Sequence, residues 1–180
     1  MGKKLFVVTG PSGAGIGDVV AALFARRKDL GTVTPLTARR KKEGERDGAV
    51  FYFYELEEWN AMKASGELLE TTEFAGNDYG TSRRLVEEQL TAGRNVLLNL
   101  SVERAAQVKR SMPEAVCVYL EPSPAVLRER YGRIARSAVE LSVRMETAER
   151  QRAAAGFCDH FLNSDDLAAA ADALEALLDA

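Results

Sequence analysis

Histidine is almost missing from this 180-residue chain: His160 stands alone. With no second imidazole or paired acid beside it, no histidine-based catalytic or metal set can be assembled. It reads as a packed or surface aromatic beside Phe157 and Phe161. Cysteine is nearly as scarce. Cys117 and Cys158 sit in apolar or aromatic-flanked stretches without metal-ligand spacing, so the expectation is free buried thiols in a reducing compartment. No metal site of the protein's own is expected. Long apolar runs are also absent, since nothing approaches the ~20 residues that cross a bilayer. The N-terminal run Leu5 to Val8 gives way to Gly-Pro-Ser-Gly rather than to a cleavage site, so a signal peptide is not expected. Nor is there an excess of one charge. Lys and Arg number 24 against 27 Asp and Glu, a net −3, which argues against broad binding to nucleic acid. A cytoplasmic protein with neither membrane nor nucleic-acid partner is expected.

What is present is ordinary globular material, 46% apolar and 28% charged, in a length that suits one domain. Short apolar runs alternate with longer amphipathic ones. Leu5 to Val8, Asn95 to Leu100 and Ala115 to Glu121 read as strands buried on both faces. Helical periodicity follows over Asp18 to Leu30, Val102 to Arg110 and Pro124 to Ile134, with a last helix at Asp165 to Leu178. Such alternation predicts a parallel sheet with right-handed crossovers. Residues 32–81 break the rhythm. Short runs at Phe51 to Tyr54 and Leu68 to Phe74 flank a helical piece, Leu56 to Ala64, among scattered glycines. This segment is expected to be a small mixed β insertion, with Trp59 as its core anchor.

Gly10-Pro-Ser12-Gly13-Ala14-Gly15 follows the first strand and opens the first helix. In that setting backbone N–H groups and a helix N-terminus can cradle phosphates. A glycine-rich strand-to-helix turn that binds nothing has the same outline. The full phosphate-loop signature is G-x-x-x-x-G-K-[ST], and its glycines are here. Its Lys position is Ile16, however, its hydroxyl position is Gly17, and Asp18 follows. The backbone cradle survives without its cation.

Across nearly the whole chain the sequence resembles the guanylate kinase family. The loop is one point of likeness. Thr37-Ala38-Arg39-Arg-Lys-Lys42-Glu-Gly44-Glu45 is similar to the family's T-T-R-x-x-R-x-G-E. The run from Glu70 through Phe74, Gly76, Tyr79, Gly80 and Thr81 matches E-x-x-x-F-x-G-x-x-Y-G-[ST] throughout. The resemblance implies a phosphate-loop three-layer α/β sandwich with a parallel central sheet. The core would be residues 1–31 and 82–180 of a single 1–180 domain, with a GMP-binding insertion at 32–81 and a lid at about 130–144. It implies GMP and ATP as partners, magnesium accompanying ATP, and a monomer or homodimer.

The chemistry of the implied GMP site is coherent. Guanine's N1–H and N2–H₂ suit a carboxylate, Glu70, and its O6 suits the Thr81 hydroxyl. The phosphate suits Arg39, Lys42 and Tyr79. The same side chains can also be solvated groups on a β insertion. Phe51, Pro35 and Ala38 replace a Tyr, a Ser and a Thr of the family pattern, and Lys42 replaces a forked Arg. Arg130, Arg133 and Arg144 match lid arginines that steady transition-state charge, although surface pairing is the alternative. Asn163 or Ser164 falls near an adenine-holding Asn.

The ATP side departs further. Asn99-Leu100-Ser101 stands where the family has D-x-D, so two acids and the loop Lys are missing together. Weak ATP binding and slow GMP phosphorylation are therefore expected, with Arg104 or a lid arginine the only visible substitute cation. Two alternatives stay open. One is a non-catalytic module binding a nucleotide or phosphorylated partner, and the other is a kinase of a related small phosphate substrate.

Overall fold

The computed structural model describes residues 2–179; Met1 and Ala180, the ends of the expected 1–180 domain, lie outside the described residues. The chain begins with β1 (Leu5–Thr9), α1 (Ile16–Arg26) and β2 (Leu30–Gly31). Then come β3 (Leu36–Thr37), β4 (Tyr52–Phe53), α2 (Leu56–Ser65), β5 (Leu68–Phe74) and β6 (Asn77–Ser82). Next are α3 (Arg83–Thr91), β7 (Asn95–Asn99), α4 (Val102–Ser111) and β8 (Val116–Glu121). It ends with α5 (Pro124–Gly132), α6 (Ala138–Ala154), β9 (His160–Asn163) and α7 (Leu167–Leu178).

Five strands form one parallel sheet in the order β2-β7-β1-β8-β9. Its centre, β1, is apolar from Leu5 to Val8 and buried throughout, as a strand covered on both faces must be. Alternate residues divide between two cores. Leu5, Val7, Leu98 and Tyr119 face Val102, Ala105 and Val108 of α4. Phe6, Val8, Leu97 and Leu120 face Val19 and Leu23 of α1 and Ala171 and Leu174 of α7. This is the expected three-layer α/β sandwich. Cys117 and Cys158 are free, buried and 2.7 Å apart at sulfur. Their mutual hydrogen bond, then burial, pushes the Cys117 thiol far above its ordinary range. No helix of the described residues is long and apolar enough to cross a membrane.

Between β2 and α3 the chain builds a second sheet, β4-β3-β6-β5, antiparallel except where β3 meets β4. It has its own small core of Trp59, Leu36 and Leu68. Trp59 comes up from α2 with 1% of its surface exposed. It lies so close to the sheet that a Cβ on Gly80 would sit 2.7 Å from the Glu70 carbonyl oxygen and 3.1 Å from the Trp59 ring. Only glycine fits there.

Some sequence boundaries shift. The helix expected over Asp18 to Leu30 occupies Ile16–Arg26, and Leu30 instead pairs with Asn95 at the sheet edge. Of Phe51 to Tyr54, only Tyr52 and Phe53 form a strand.

Candidate functional site

The turn from β1 into α1 is held open by its glycines. Gly15 has φ +81°, a left-handed conformation that glycine adopts without strain, and a Cβ there would lie 2.3 Å from Leu167. Ala14 is buried and donates its N–H to the Pro11 carbonyl at 3.0 Å. Ser12, Gly13, Gly17 and Asp18 are exposed, and Gly10 is buried behind the loop. Ile16 is half-buried, and its side chain packs against the apolar cluster between α1 and α7. The position that in the full signature carries a cation toward phosphate here carries a core contact.

The mixed sheet gathers a second set of groups. Glu70 on β5 pairs with Thr81 on β6, Thr72 with Tyr79, and Tyr79 in turn with Thr37 on β3. Directly opposed residues, and those two apart, share a sheet face. Glu70, Thr81, Tyr79 and Thr37 therefore line one face, while Trp59 covers the other. The Thr37 hydroxyl accepts the Arg39 backbone N–H at 3.1 Å and fixes the start of the following loop. The Arg39 guanidinium donates to both Glu45 oxygens at 3.0 and 2.7 Å. It also lies 5.7 Å above the Phe51 ring and 5.3 Å above that of Phe53. The hydrogen bond to Glu45 raises Arg39 above its ordinary value. Lys42 is exposed, and its backbone N–H donates to Glu45. Residues 39–46 carry five cations against two carboxylates, a field suited to an anion.

At the other end of that face Glu70 is 1% exposed. The Thr81 hydroxyl donates to its Oε1 at 2.6 Å. Arg104 of α4 approaches side-on, Nε to Oε2 at 2.6 Å and Nη2 to Oε1 at 2.7 Å. One turn along α4, the Gln107 amide exchanges two hydrogen bonds with the Thr71 backbone, at 3.0 and 2.9 Å. Residues three apart on a helix face the same way, so Arg104 and Gln107 together fasten the mixed sheet to the core. The expectation that Arg104 substitutes for the loop lysine fails, because its charge is committed to Glu70.

The three expected lid arginines differ in their surroundings. Arg130 on α5 donates to the carbonyls of Gly13 (2.9 Å), Ser164 (2.8 Å) and Asp165 (3.0 Å). It thereby clamps the phosphate loop to the turn before α7. Arg133 forms an exposed pair with Glu129 one turn back. Arg144 on α6 pairs with Glu140 at 2.7 Å and lies 5.9 Å over the Tyr131 ring. A cleft of about 700 Å³ runs from Pro11 past Leu127 and Met145 to Tyr119 and Phe161. Asn163 reaches it, but no expected GMP ligand lines it.

Magnesium needs several hard oxygen ligands around it. Asn99 is exposed and uncharged. The Ser101 hydroxyl caps α4 by accepting the Arg104 N–H at 3.4 Å. Among the described residues no three His, Cys, Asp or Glu side chains converge. Positions 99 and 101 thus offer no carboxylate to a magnesium ion.

A parallel sheet whose central strand runs through a glycine loop into a helix is the architecture of phosphate-loop kinases. The solved guanylate kinase of Anaplasma phagocytophilum has this fold, with a TM-score of 0.67 and 22% identity over 99% of this chain and 85% of that one. The shikimate kinase of Bacteroides thetaiotaomicron shares it more distantly, with a TM-score of 0.54 and 15% identity over 98% and 99%. Sequence narrows the class. The guanylate kinase family model matches residues 2–180. The guanylate kinase of Parasynechococcus marenigrum (strain WH8102) is 41% identical over 176 residues, 97% of each chain. That of Thermobifida fusca (strain YX) is 38% identical over 98% of this chain and 91% of its own. The chain belongs to the guanylate kinase family.

Proposed function

We propose that this protein binds GMP on the mixed sheet and phosphorylates it to GDP with ATP, slowly. The observation that carries this reading is the shared face of Glu70, Thr81 and Tyr79, with the Glu45-held Arg39 at its phosphate end. Residues 32–81 serve as the GMP-binding unit, residues 130–144 as the lid, and residues 1–31 and 82–180 as the core. Arg39, Lys42 and Tyr79 take the phosphate, and Thr81 and Glu70 form the base end.

Slow turnover follows from the ATP side. Phosphoryl transfer depends on positioning and on neutralising charge, and removing one such preorganised group costs about 2.7–4 kcal/mol. Here Ile16, Gly17, Asn99 and Ser101 replace four of them, and Asp18 adds a like charge near the phosphates. Arg130 holds the loop in shape, and Arg133 and Arg144 are the arginines available to close on the phosphates. MgATP would bring its own metal. A second reading, a nucleotide-binding module without turnover, is favoured by Ile16, whose side chain belongs to the core.

Calorimetric titration with GMP, ATP and their magnesium forms tests the binding, and a coupled assay tests the rate. GMP should bind, ATP weakly, with turnover far below the ~1–100 s⁻¹ of ordinary kinases. Complete absence of turnover selects the module, and ordinary turnover refutes the impaired site.

A further inference from the structure

Guanine's Watson–Crick edge, N1–H beside an exocyclic N2–H₂, is chemically a guanidine presenting two parallel donors. A side-on arginine presents the same fork from Nε–H and Nη2–H, which is why carboxylates bind it in bidentate fashion. Arg104 makes that contact with Glu70, at 2.6 and 2.7 Å. The Thr81 hydroxyl also donates to Glu70, at 2.6 Å. Both groups that would read the base are thus satisfied within the protein. The Glu70 side chain is 0% exposed, whereas that of Arg104 is 23% exposed. What a ligand meets at the base end is therefore a guanidinium and not a carboxylate.

We propose that Arg104 is a specificity-determining residue that occupies, from within the chain, the carboxylate edge a guanine would use, so the site holds a nucleoside monophosphate mainly by its phosphate and discriminates poorly among purine bases. This rests on the mixed sheet being the nucleotide site. The Gln107 bonds to Thr71 hold α4 against β5, so Arg104 is braced in place. Guanine can reach Glu70 only by displacing it.

The test compares GMP with IMP, which lacks the N2 amino group. The parent protein should bind the two within about threefold of each other, as a site without paired base contacts does. Arg104→Ala should raise the GMP-to-IMP affinity ratio about tenfold or more, as expected when a carboxylate regains hydrogen-bond donors. Arg104→Gln, which retains a polar side chain on the helix, should raise it less and serves if the alanine variant folds poorly. Glu70→Gln placed on Arg104→Ala should abolish the gain.

A parent that already prefers GMP strongly, with the preference lost in Arg104→Ala, would overturn the proposal, since Arg104 would then be reading the base. So would an unchanged ratio in both Arg104 variants. In that case Arg39→Ala separates the two ideas: if it still weakens GMP binding, only the Arg104 proposal falls. If neither nucleotide binds the parent or the Arg104 variants, the nucleotide reading falls with it.

Discussion

Gly80→Ala is the most direct test of how the mixed sheet is built. The added methyl carbon would sit 2.7 Å from the Glu70 carbonyl oxygen and 3.1 Å from the Trp59 ring. The first neighbour is backbone and cannot rotate away, so β5 and β6 must part or Trp59 must move. Overpacking of this kind costs about 1–3 kcal/mol. With a urea dependence of about 2 kcal/mol per M, the middle of the usual range, a 2 kcal/mol loss lowers the midpoint by about 1 M. Trp59 is the only tryptophan, so intrinsic fluorescence reports on this sheet selectively, whereas far-ultraviolet circular dichroism reports on the whole chain. The fluorescence midpoint should fall by that amount, and more than the dichroism midpoint, as local opening precedes global unfolding. An unshifted fluorescence midpoint with unaltered emission would refute the packing account.

Restoring the lost charges as Ile16→Lys with Asp18→Thr, together with Asn99→Asp and Ser101→Asp, should raise turnover in a coupled assay more than either pair alone, because such residues act as a unit; Asp at 101 also keeps the cap of α4. The hydrogen bonds from Arg39 and then from the Lys42 backbone hold the Glu45 carboxyl at about 2, below its ordinary 4.5. A depressed carboxyl stabilises fully above its unfolded value and loses that contribution as pH falls from about 4.5 through 2. Melting temperatures across that window should therefore fall more steeply in the parent than in Glu45→Gln, and equal slopes would contradict the pairing. Cys117 and Cys158 should resist maleimide in the native state and react after denaturation; rapid native labelling would show that the pair is accessible.

The three middle strands of the central sheet, β7, β1 and β8, were readable because burial wrote them into composition, whereas the edge strands β2, only two residues long, and β9, largely exposed, were not. A strand covered on both faces must be apolar at every position, and Leu5–Val8 and Val96–Leu98 are. Strand β6, Asn77 to Ser82, shows no such pattern. One of its faces carries the polar Tyr79 and Thr81, and the other offers Gly80 to Trp59, so apolar alternation never forms. The motif through Glu70, Tyr79 and Thr81 nevertheless exposed the face it builds. What stayed hidden was long-range. Glu70 and Arg104 are 34 residues apart, and no local periodicity announces that an acid on one sheet will meet an arginine from the helix behind the other. Arg130 was legible as a cation and not as a clamp, because its partners are backbone carbonyls that sequence does not distinguish.

The Gln107 amide has a further consequence for the mixed sheet. Strand β5 lies at its margin, and a free margin offers unpaired N–H and C=O groups to any passing extended chain, a common route into aggregates. By accepting from the Thr71 N–H and donating to the Thr71 carbonyl, Gln107 imitates one rung of a neighbouring strand. The opposite margin, β4, is only two residues long. The sheet thus has one margin plugged by a helix side chain and another too short to serve as a template, so the protein can carry a small, polar, glycine-bearing sheet without making it adhesive.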